Sequence, residues 1–369
     1  GLGDVYKRQW CNSPVLRTTI DLDAIAHNTR TLRAHTQAEL MCVVKADAYN
    51  HGVERCVPVM EASGADAFGV ATFAEARRVR ELTSKPVLAW LWDVSEAIPE
   101  GIDVGVPSIA HMHALIDAPS VPTVYLTVDT GMHRSGIDES SWEEAFALAA
   151  QAEKQGEFSV AGLMTHLSCA DDPADPYTDL QAAAFRRAIA QARLAGLDVP
   201  RNHAANSPAT WTRPDLHFDM VRPGVSLYGL EPVDGLDHAL RPAMVWSAPV
   251  VTVKPLRKGE ATGYSRAWEA PDDGFSAVIP AGYADGVQRS WEGALEVTIG
   301  GRTYPQVGRV SMDQIVIWLG DNRGGVAPGD EAVLFDNAAA LARRAGTIGY
   351  EVLCAPRGRT ARTYTGEGE

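Results

Sequence analysis

Short apolar runs alternate with longer stretches of helical spacing between residue 19 and about residue 230. The segment TTIDLDAIAHNTRTLRAH predicts a short strand and then an amphipathic helix with Leu22, Ile25 and Leu32 near helical spacing. Further strands are predicted in LMCVV, ADAFGVA, PVLAWLW, TVYLTV, VAGLMTHL, RNHAANS and DMVRPGVSLYGL, and alanine-rich helices separate several of them. Because strands that alternate with helices form parallel sheets, these roughly eight strands predict an α/β protein with an N-terminal (β/α)8 barrel.

The pattern changes after about residue 240, where β-rich segments with frequent glycine and proline follow one another. Examples are AVIPAGYADGV and ALEVTIGGRTYPQVGRVSMDQIVIWLG, and helical spacing returns only at AAALARRAG. We therefore expect two domains, a TIM-type barrel over residues 18–238 and a mostly β domain over residues 239–369. Residues 1–17 are expected to be a leader that is artefactual or packs on the C-terminal domain, since GLGDVYKRQWCNSP lacks the apolar core of a signal peptide.

Composition narrows the class of partner. The net charge of −14 at pH 7 and the pI near 5.2 argue against nucleic acid or an anionic membrane as the main partner. No apolar run approaches the roughly 18 residues of a membrane span. We expect free thiols in a reducing cytoplasm and no metal site, because the cysteines show no metal-ligand spacing; they are Cys11, Cys42, Cys56, Cys169 and Cys354.

Polar residues follow several of the predicted barrel strands. In such barrels the chemistry collects where strands end, because the loops that follow them lie on one face. Each residue alone has an ordinary explanation, such as a structural histidine or a helix cap, but together they indicate a site. They are Lys45 in VVKADAYNHG, Arg134 in VDTGMHRSG, His166 in LMTHLS, Asn206 and Ser207 in HAANS, and Arg222 and Gly224 in MVRPGVSLYG.

These residue types suit a cofactor that carries an aldehyde, a flat ring and a phosphate. A lysine at the buried end of a strand loses hydration, which lowers its pKa and makes the neutral amine available for a Schiff base. A serine and the backbone N–H groups near a glycine, where a side chain would obstruct close approach, suit a phosphate. An imidazole such as that of His166 can lie against the ring. The pattern therefore favours pyridoxal 5′-phosphate as the cofactor.

At these residues the sequence resembles the alanine racemase family, which are pyridoxal-phosphate enzymes of fold type III. The resemblance rests on VVKADAYNHG, VDTGMHRSG, MTHLS, HAANS and MVRPGVSLYGL in the barrel. It continues through GEATGYSRAW, IPAGYADGVQR, VGRVSMDQI and GTIGYEVLC, and so extends over almost the whole chain after residue 17. It implies interconversion of L- and D-alanine, which supplies D-alanine for peptidoglycan, by a cytoplasmic homodimer with shared active sites.

The resemblance implies one set of residues that hold the cofactor. Lys45 would bind it covalently and act as one acid/base. Arg222 would face the pyridine nitrogen, and His166 would stack near the ring. The other cofactor-binding residues would surround the phosphate; they are Tyr49, Asn206, Ser207, Gly224 and Val225.

A second set would meet the substrate. Tyr264 of the second subunit would be the base opposite Lys45, so that the two bases face each other across the substrate Cα. Arg134 and the backbone of Met312 would meet the cofactor phenolate or the substrate carboxylate. Tyr283 would line the entrance.

Arg222 favours racemisation over other reactions of this cofactor. An arginine is always protonated, so it can only donate to the ring nitrogen, which then stays unprotonated and makes the ring a weaker electron sink. A short-lived carbanion favours simple reprotonation. Two alternatives remain open, a racemase of serine or another amino acid and, against Arg222, a fold-type III decarboxylase. A non-catalytic single-barrel carrier would lack the chain beyond residue 240.

Three positions depart from the usual family pattern. Asn50 stands where glycine is usual, and asparagine tolerates positive φ better than most residues. Thr127 stands where many members carry a carbamylated lysine, so we expect a bound chloride or a nearby carboxylate beside Arg134, with solvent screening as the alternative. Gly358, counted without gaps from Cys354, stands where many members are expected to have a tyrosine, so we expect a wider entrance.

Overall fold

A computed structural model describes residues 15–368, so Cys11 and residues 1–14 of the predicted leader lie outside the described residues. The strands are β1 (Arg17–Asp21), β2 (Glu39–Val43), β3 (Ala67–Val70), β4 (Val87–Ala89), β5 (Asp103–Val106), β6 (Thr123–Thr127), β7 (Ser159–Met164), β8 (Met220–Val221), β9 (Met244–Pro249), β10 (Thr252–Leu256), β11 (Ala261–Thr262), β12 (Trp268–Glu269), β13 (Gly274–Ile279), β14 (Glu296–Ile299), β15 (Arg302–Val307), β16 (Ile315–Gly320), β17 (Glu331–Phe335) and β18 (Ala361–Thr365). The helices are α1 (Leu22–His35), α2 (Lys45–Asn50), α3 (Val53–Ala62), α4 (Phe73–Arg80), α5 (Ile109–Ile116), α6 (Trp142–Gln155), α7 (Tyr177–Leu194), α8 (Ser207–Thr212), α9 (Ala338–Ala345) and α10 (Gly349–Cys354).

Contacts divide the chain into two compact units. The barrel unit comprises Asp21–Ala243 with the residues after Thr365, and the β-rich unit comprises the described residues up to Ile20 with Met244–Thr365. The predicted domain ranges, 18–238 and 239–369, stay a prediction. No helix within residues 15–368 has both the length and the apolar character needed to cross a membrane.

The barrel unit contains a parallel sheet in the order β7-β6-β5-β4-β3-β2-β8. Residues 201–205 complete the circuit between its two outer strands. On one side the His203 N–H donates to Leu163 O at 3.0 Å, and on the other the Arg222 N–H donates to Ala205 O at 2.8 Å. The weak RNHAANS pattern therefore occupies the eighth place with irregular backbone, and the predicted α/β barrel fold is confirmed.

Large apolar side chains fill the interior of this sheet. Burial of each such side chain contributes about 1.5–3 kcal/mol, so the strand ends stand on a close-packed support. The interior cluster consists of Met41, Ala67, Leu88, Tyr125, Met164 and Met220, with Trp90 and Ala161 packed against it.

Two strands differ from the sequence-based prediction. The TTI strand, β1, pairs antiparallel with β9, with Arg17 opposite Ser247, and is therefore not a barrel strand as expected. Its place is taken by β5, which pairs with β4 and β6. The pattern missed β5 because DVGV is short and contains glycine. An apolar run predicts a strand, but it does not say which neighbour the strand pairs with.

The β-rich unit has the mostly β character that was predicted. Its large sheet has the order β10-β13-β16-β15-β14-β17-β9-β1-β18, and β11 pairs with β12. The helix predicted at AAALARRAG is α9, whose first turn is capped by Asn337 through Oδ1, 3.0 Å from the Ala340 N–H.

Candidate active site

Lys45 lies directly after β2 and the buried Val44, as predicted, and begins a left-handed turn. Residues 46–50, the rest of α2, all have positive φ, between 50° and 67°. Asn50 has φ 67°, which confirms the expectation of positive φ at this position. Each non-glycine residue in this conformation costs roughly 1–2 kcal/mol, so other contacts must hold the turn. The Lys45 Nζ lies 5.9 Å from the ring centroid of Trp90.

Aromatic packing ties this turn to the end of β2. The Tyr49 ring is 4.8 Å from that of Tyr228, and His51 stacks on the same ring at 4.5 Å. The Tyr228 hydroxyl donates to Val43 O at 3.0 Å. Aromatic pairs contribute about 0.5–1.5 kcal/mol each beyond burial, so Tyr49 is held close to the strand that precedes Lys45.

Tyr49 also contacts a glycine cradle. The Gly224 N–H donates to Ser207 Oγ at 2.8 Å. A Cβ added at Gly224 would lie only 2.4 Å from the Tyr49 hydroxyl oxygen, so a larger residue would displace the Tyr49 ring from the cradle. Asn206 caps α8, and Val225 begins a short 3-10 helix, Val225–Tyr228. In α8 Pro208 has no N–H and the Ala209 N–H donates to Asn206 Oδ1, so the donor set suited to phosphate consists of the N–H groups of Ser207 and Val225 with the two hydroxyls.

Arg222 lies buried beside this cradle, with 6% of its surface exposed. Its Nη1 donates to His203 Nδ1 at 2.9 Å and to His203 O at 3.0 Å, and its Nη2 donates to Thr165 O at 2.7 Å. Burial lowers the pKa of Arg222 to about 10, so the guanidinium stays charged at neutral pH. The site therefore contains a fixed cation held by neutral acceptors.

Two histidines stay neutral around this cation. Burial, and then Arg222 and Arg201, hold the pKa of the fully buried His203 well below its usual value. Since His203 Nδ1 accepts from Arg222, its proton is on Nε2. His203 is the first residue of HAANS, and no role for it was predicted; its place between apolar residues in the eighth strand position was the available signal.

The ring of His166 is exposed, yet protein atoms surround it densely, as for a side chain at the floor of an open recess. Its Nδ1 lies 3.4 Å from Arg222 Nη2. Burial by the surrounding protein is the largest cause that lowers the pKa of His166, and nearby cations lower it further. Water that reaches the ring screens part of the effect of these cations. These cations are Arg222, Arg134 and Lys45.

The loop after β6 carries Arg134. Asp129 shapes this loop by accepting the N–H groups of Gly131 at 2.8 Å and of His133 at 3.2 Å. Arg134 is exposed and Thr127 is half-buried. Because water surrounds an exposed guanidinium, solvent screening reduces the need for a compensating anion at Arg134.

The remaining candidates, Tyr264, Tyr283 and Met312, lie in the β-rich unit. Their side chains are exposed, by 71%, 39% and 52% respectively. The structure brings two of them together, because the Tyr283 N–H donates to Ser311 O at 3.0 Å and the Ala284 N–H donates to Met312 O at 3.1 Å. Tyr264 begins a separate 3-10 turn, Tyr264–Arg266.

An ion-pair clamp that sequence reasoning missed joins the Tyr283 and Met312 turns. Arg359 donates from Nε and Nη2 to the fully buried Asp285 at 2.8 and 2.7 Å, and from Nη1 to Asp313 at 2.7 Å. Burial opposes ionisation of Asp285, but hydrogen bonds from Arg359 and Gly282 prevail and lower its pKa. In the sequence, the only indication of this clamp was that Asp285 in YAD and Asp313 in MD lie close to Tyr283 and Met312.

The structure shows why glycine stands at position 358, while the expectation of a wider entrance there stays a prediction. Gly358 has φ 62°, and a Cβ at this position would lie 2.4 Å from Ala284 O. No tyrosine fits there without moving the backbone, so Gly358 is required by packing against the Tyr283–Asp285 turn.

Comparisons with known proteins identify the family of the chain. The family model for the alanine racemase N-terminal domain matches residues 20–232, and the model for the alanine racemase C-terminal domain matches residues 243–364. Alanine racemase of Corynebacterium efficiens is 56% identical over 368 residues, covering 96% of this chain and 100% of that protein. Alanine racemase of Mycobacterium tuberculosis is 43% identical over 363 residues, covering 94% of each.

Solved structures give the same result. The crystal structure of alanine racemase from Corynebacterium glutamicum has a TM-score of 0.87 and 51% identity, covering 96% of this chain and 100% of that one. The enzyme from a D-cycloserine-producing Streptomyces lavendulae has a TM-score of 0.92 and 35% identity, covering 96% and 98%. With both family models matching in order along a chain that carries the lysine turn and the glycine cradle, the chain belongs to the alanine racemase family of isomerases.

Proposed function

We propose that this protein interconverts L- and D-alanine with pyridoxal 5′-phosphate held in the barrel unit. One observation carries the cofactor proposal. A lysine at a strand end begins the same left-handed turn as Tyr49, whose hydroxyl contacts the Gly224 cradle. Relatives named alanine racemase, at up to 56% identity, support alanine as the substrate.

The residues present fit the cofactor at both ends. Tyr49, Ser207 and the backbone at Gly224 and Val225 would hold its phosphate, and Asn206 would orient them by capping α8. The neutral, exposed ring of His166 offers a flat surface without adding charge. When bound, the cofactor supplies an electron sink that makes the substrate α-proton acidic.

Lys45 can accept and return a proton, whereas Arg222 keeps its protons and only donates hydrogen bonds. The Lys45 amine, once neutral, accepts a proton at Nζ and returns it, which requires a group whose pKa is usable near neutral pH. Arg222 cannot do this, because a guanidinium keeps its protons and only donates. Its hydrogen bonds to Thr165 and His203 fix the direction of that donation.

Tyr264 is proposed as the second base, on the face opposite Lys45. A phenol has a reference pKa of about 10, so it needs neighbouring cations to act as a base. Its 71% exposed side chain is available to a second copy of the chain, and we propose a homodimer in which that copy supplies Tyr264. Arg134 and Met312 would contact the substrate, and Tyr283 would line the entrance.

The cellular role follows from the proposed reaction. D-alanine made by this enzyme would supply peptidoglycan synthesis. We propose a cytoplasmic location, which is supported by the free thiols of Cys42 and Cys169, since reducing compartments maintain them.

The reaction is tested by incubating the purified protein with each L-amino acid in deuterated water. We expect the L-alanine solution to lose optical activity, as D-alanine forms, and the alanine to gain deuterium at Cα at a matching rate. Faster conversion of L-serine would replace alanine as the preferred substrate. Release of carbon dioxide, or no α-deuteration with any amino acid, would contradict the proposed function.

The shared site is tested by mixing two nearly inactive variants, Lys45→Ala and Tyr264→Phe, under conditions that exchange subunits. A mixed dimer would contain one intact pair of bases and recover part of the activity. If mass spectrometry demonstrates exchange and no activity returns, both bases belong to one subunit.

A further inference from the structure

Glu75, on α4, contacts the backbone immediately after Lys45. Its Oε1 accepts the Ala46 N–H at 2.7 Å. Its Oε2 accepts the N–H groups of Ala71 at 2.9 Å and of Thr72 at 3.1 Å, which lie between β3 and α4. A single carboxylate therefore joins the lysine turn to the neighbouring strand-helix connection.

The turn needs such a support because its backbone is strained. Consecutive left-handed residues persist only where the surroundings hold them. A second contact from α4 is made by Arg78, whose Nη2 lies 3.2 Å from Asp47 Oδ1 and which also pairs with Glu54. Asp47 Oδ1 in turn accepts the Val53 N–H at 3.0 Å. Arg78 and its partners lie farther along the turn, whereas Glu75 binds the first left-handed residue.

We propose that Glu75 is a positioning residue for Lys45, because it fixes the first peptide of the left-handed turn and so the place from which the lysine side chain starts. The catalytic consequence of this inference rests on the proposed function. The structural part, that Glu75 holds the turn, does not.

The hydrogen-bond pattern explains why a carboxylate is required. Both Glu75 oxygens accept backbone N–H groups, so both must be acceptors. In Glu75→Gln one of them becomes an NH₂ donor, which cannot accept an N–H. Turning the amide oxygen toward Ala71 and Thr72 keeps two of the three bonds, so the Ala46 bond is the one expected to be lost. Glu75→Asp keeps two acceptor oxygens but is one methylene shorter, so it should keep the local helix cap and lose contact with Ala46.

Thr72→Val provides the matched control. The Thr72 hydroxyl caps α4 by accepting the Glu75 N–H at 3.3 Å, and valine removes this acceptor with little change in shape. The Glu75 carboxylate stays in place. A purely structural role of Glu75 in starting α4 would therefore be reproduced by Thr72→Val, whereas a role in positioning Lys45 would not.

Amide hydrogen exchange of the cofactor-loaded protein tests the structural part. Loss of a charge-assisted hydrogen bond should speed exchange at Ala46 by roughly 10–100-fold in Glu75→Gln and Glu75→Asp. Thr72→Val should match the wild type at Ala46. Unchanged Ala46 exchange in both Glu75 variants, or equal acceleration in Thr72→Val, would overturn the proposal.

Cofactor titration and kinetics test the catalytic part. We expect both Glu75 variants to bind pyridoxal phosphate roughly 10-fold more weakly and to lose roughly 10–100-fold in kcat, with KM for alanine changed less than about 3-fold. Faster Ala46 exchange with unchanged kcat and cofactor affinity would overturn the positioning role. A wild-type protein that neither binds the cofactor nor racemises alanine would instead overturn the proposed function, and the exchange result would still decide the role of Glu75 in the turn.

Discussion

The group of residues around Arg222 in the barrel unit and the candidate residues of the β-rich unit differ in burial. Arg222 and His203 are buried and hydrogen-bonded to one another, and Tyr49 packs against Gly224, where a Cβ would displace the tyrosine hydroxyl. Tyr264 and Met312 are mostly exposed. Removing a buried partner leaves another group unsatisfied, whereas removing an exposed group does not. Substitutions in the buried group around Arg222 should therefore change stability and activity together, and those at exposed candidates of the β-rich unit should change activity alone.

The largest effect is expected for Lys45→Ala. It removes both the covalent anchor and one base, so racemisation should fall by about 1000-fold or more. The wild type should be yellow, with an absorption band that borohydride abolishes and an adduct that mass spectrometry places on Lys45. Lys154→Ala, at an exposed position of α6, is the control and should behave as the wild type. A borohydride adduct on any other lysine would contradict the assignment.

Tyr264→Phe should separate activity from stability. Loss of a general base costs roughly 100–10,000-fold in rate. Because the side chain is mostly exposed, the free energy of unfolding should change by less than about 0.5 kcal/mol. Initial rates in both directions and urea unfolding measure the two effects. A large loss of stability in Tyr264→Phe would contradict the expectation that substitutions at exposed residues of the β-rich unit change activity alone.

Arg359→Gln sharpens the comparison, since its partner Asp285 is a buried group in the β-rich unit. Without the clamp the turns of Tyr283 and Met312 should shift, and KM for alanine should rise about 3–10-fold with a smaller change in kcat. Arg323→Gln removes an exposed ion pair with Asp321 in the same unit and is the control. Equal KM values for both variants would show that the clamp does not shape the substrate contacts.

The smallest effect is expected for His203→Asn, and the quantity that it changes is the pH dependence of the free energy of unfolding. The pKa of His203 is well below 6.5 in the folded protein, so below pH 6.5 the unfolded chain binds more protons and stability falls. Each such histidine contributes up to about 1.4 kcal/mol per pH unit. Asparagine keeps an acceptor for Arg222 but does not titrate, so the slope between pH 6.5 and 5 should become shallower.

Urea midpoints at several pH values measure this slope. Asp103 works in the opposite direction, because burial raises its pKa to about 6 and its contribution is lost as pH rises toward that value. It is present in both proteins and cancels in the comparison. His113→Asn, at an exposed position, should leave the slope unchanged. A slope that is equal in His203→Asn and the wild type would show that His203 is not the titrating group.

Local sequence patterns predicted much of the barrel, and within the candidate site they predicted the place of Lys45 at a strand end. The apolar run before Lys45, the helix after TTI and the glycine in MVRPG depend on nearby residues, and the structure has each of them. The assignment of β1 to the barrel failed because strand pairing depends on a partner more than 200 residues away in the chain. The packing requirement at Gly358 was not predicted, because its contact, Ala284 O, lies in another segment.

The sequence by itself determined the fold class, the family and the residue types available for chemistry. These follow from periodicity and motif order, which are properties of short stretches. Only the tertiary structure revealed what holds Lys45 in place and what joins the turns of Tyr283 and Met312. Glu75 could be predicted as the third helical residue in the T-x-x-E start of α4, but not as a partner of Ala46. Such contacts join residues that are distant in the chain, so they exist only once packing has brought the segments together.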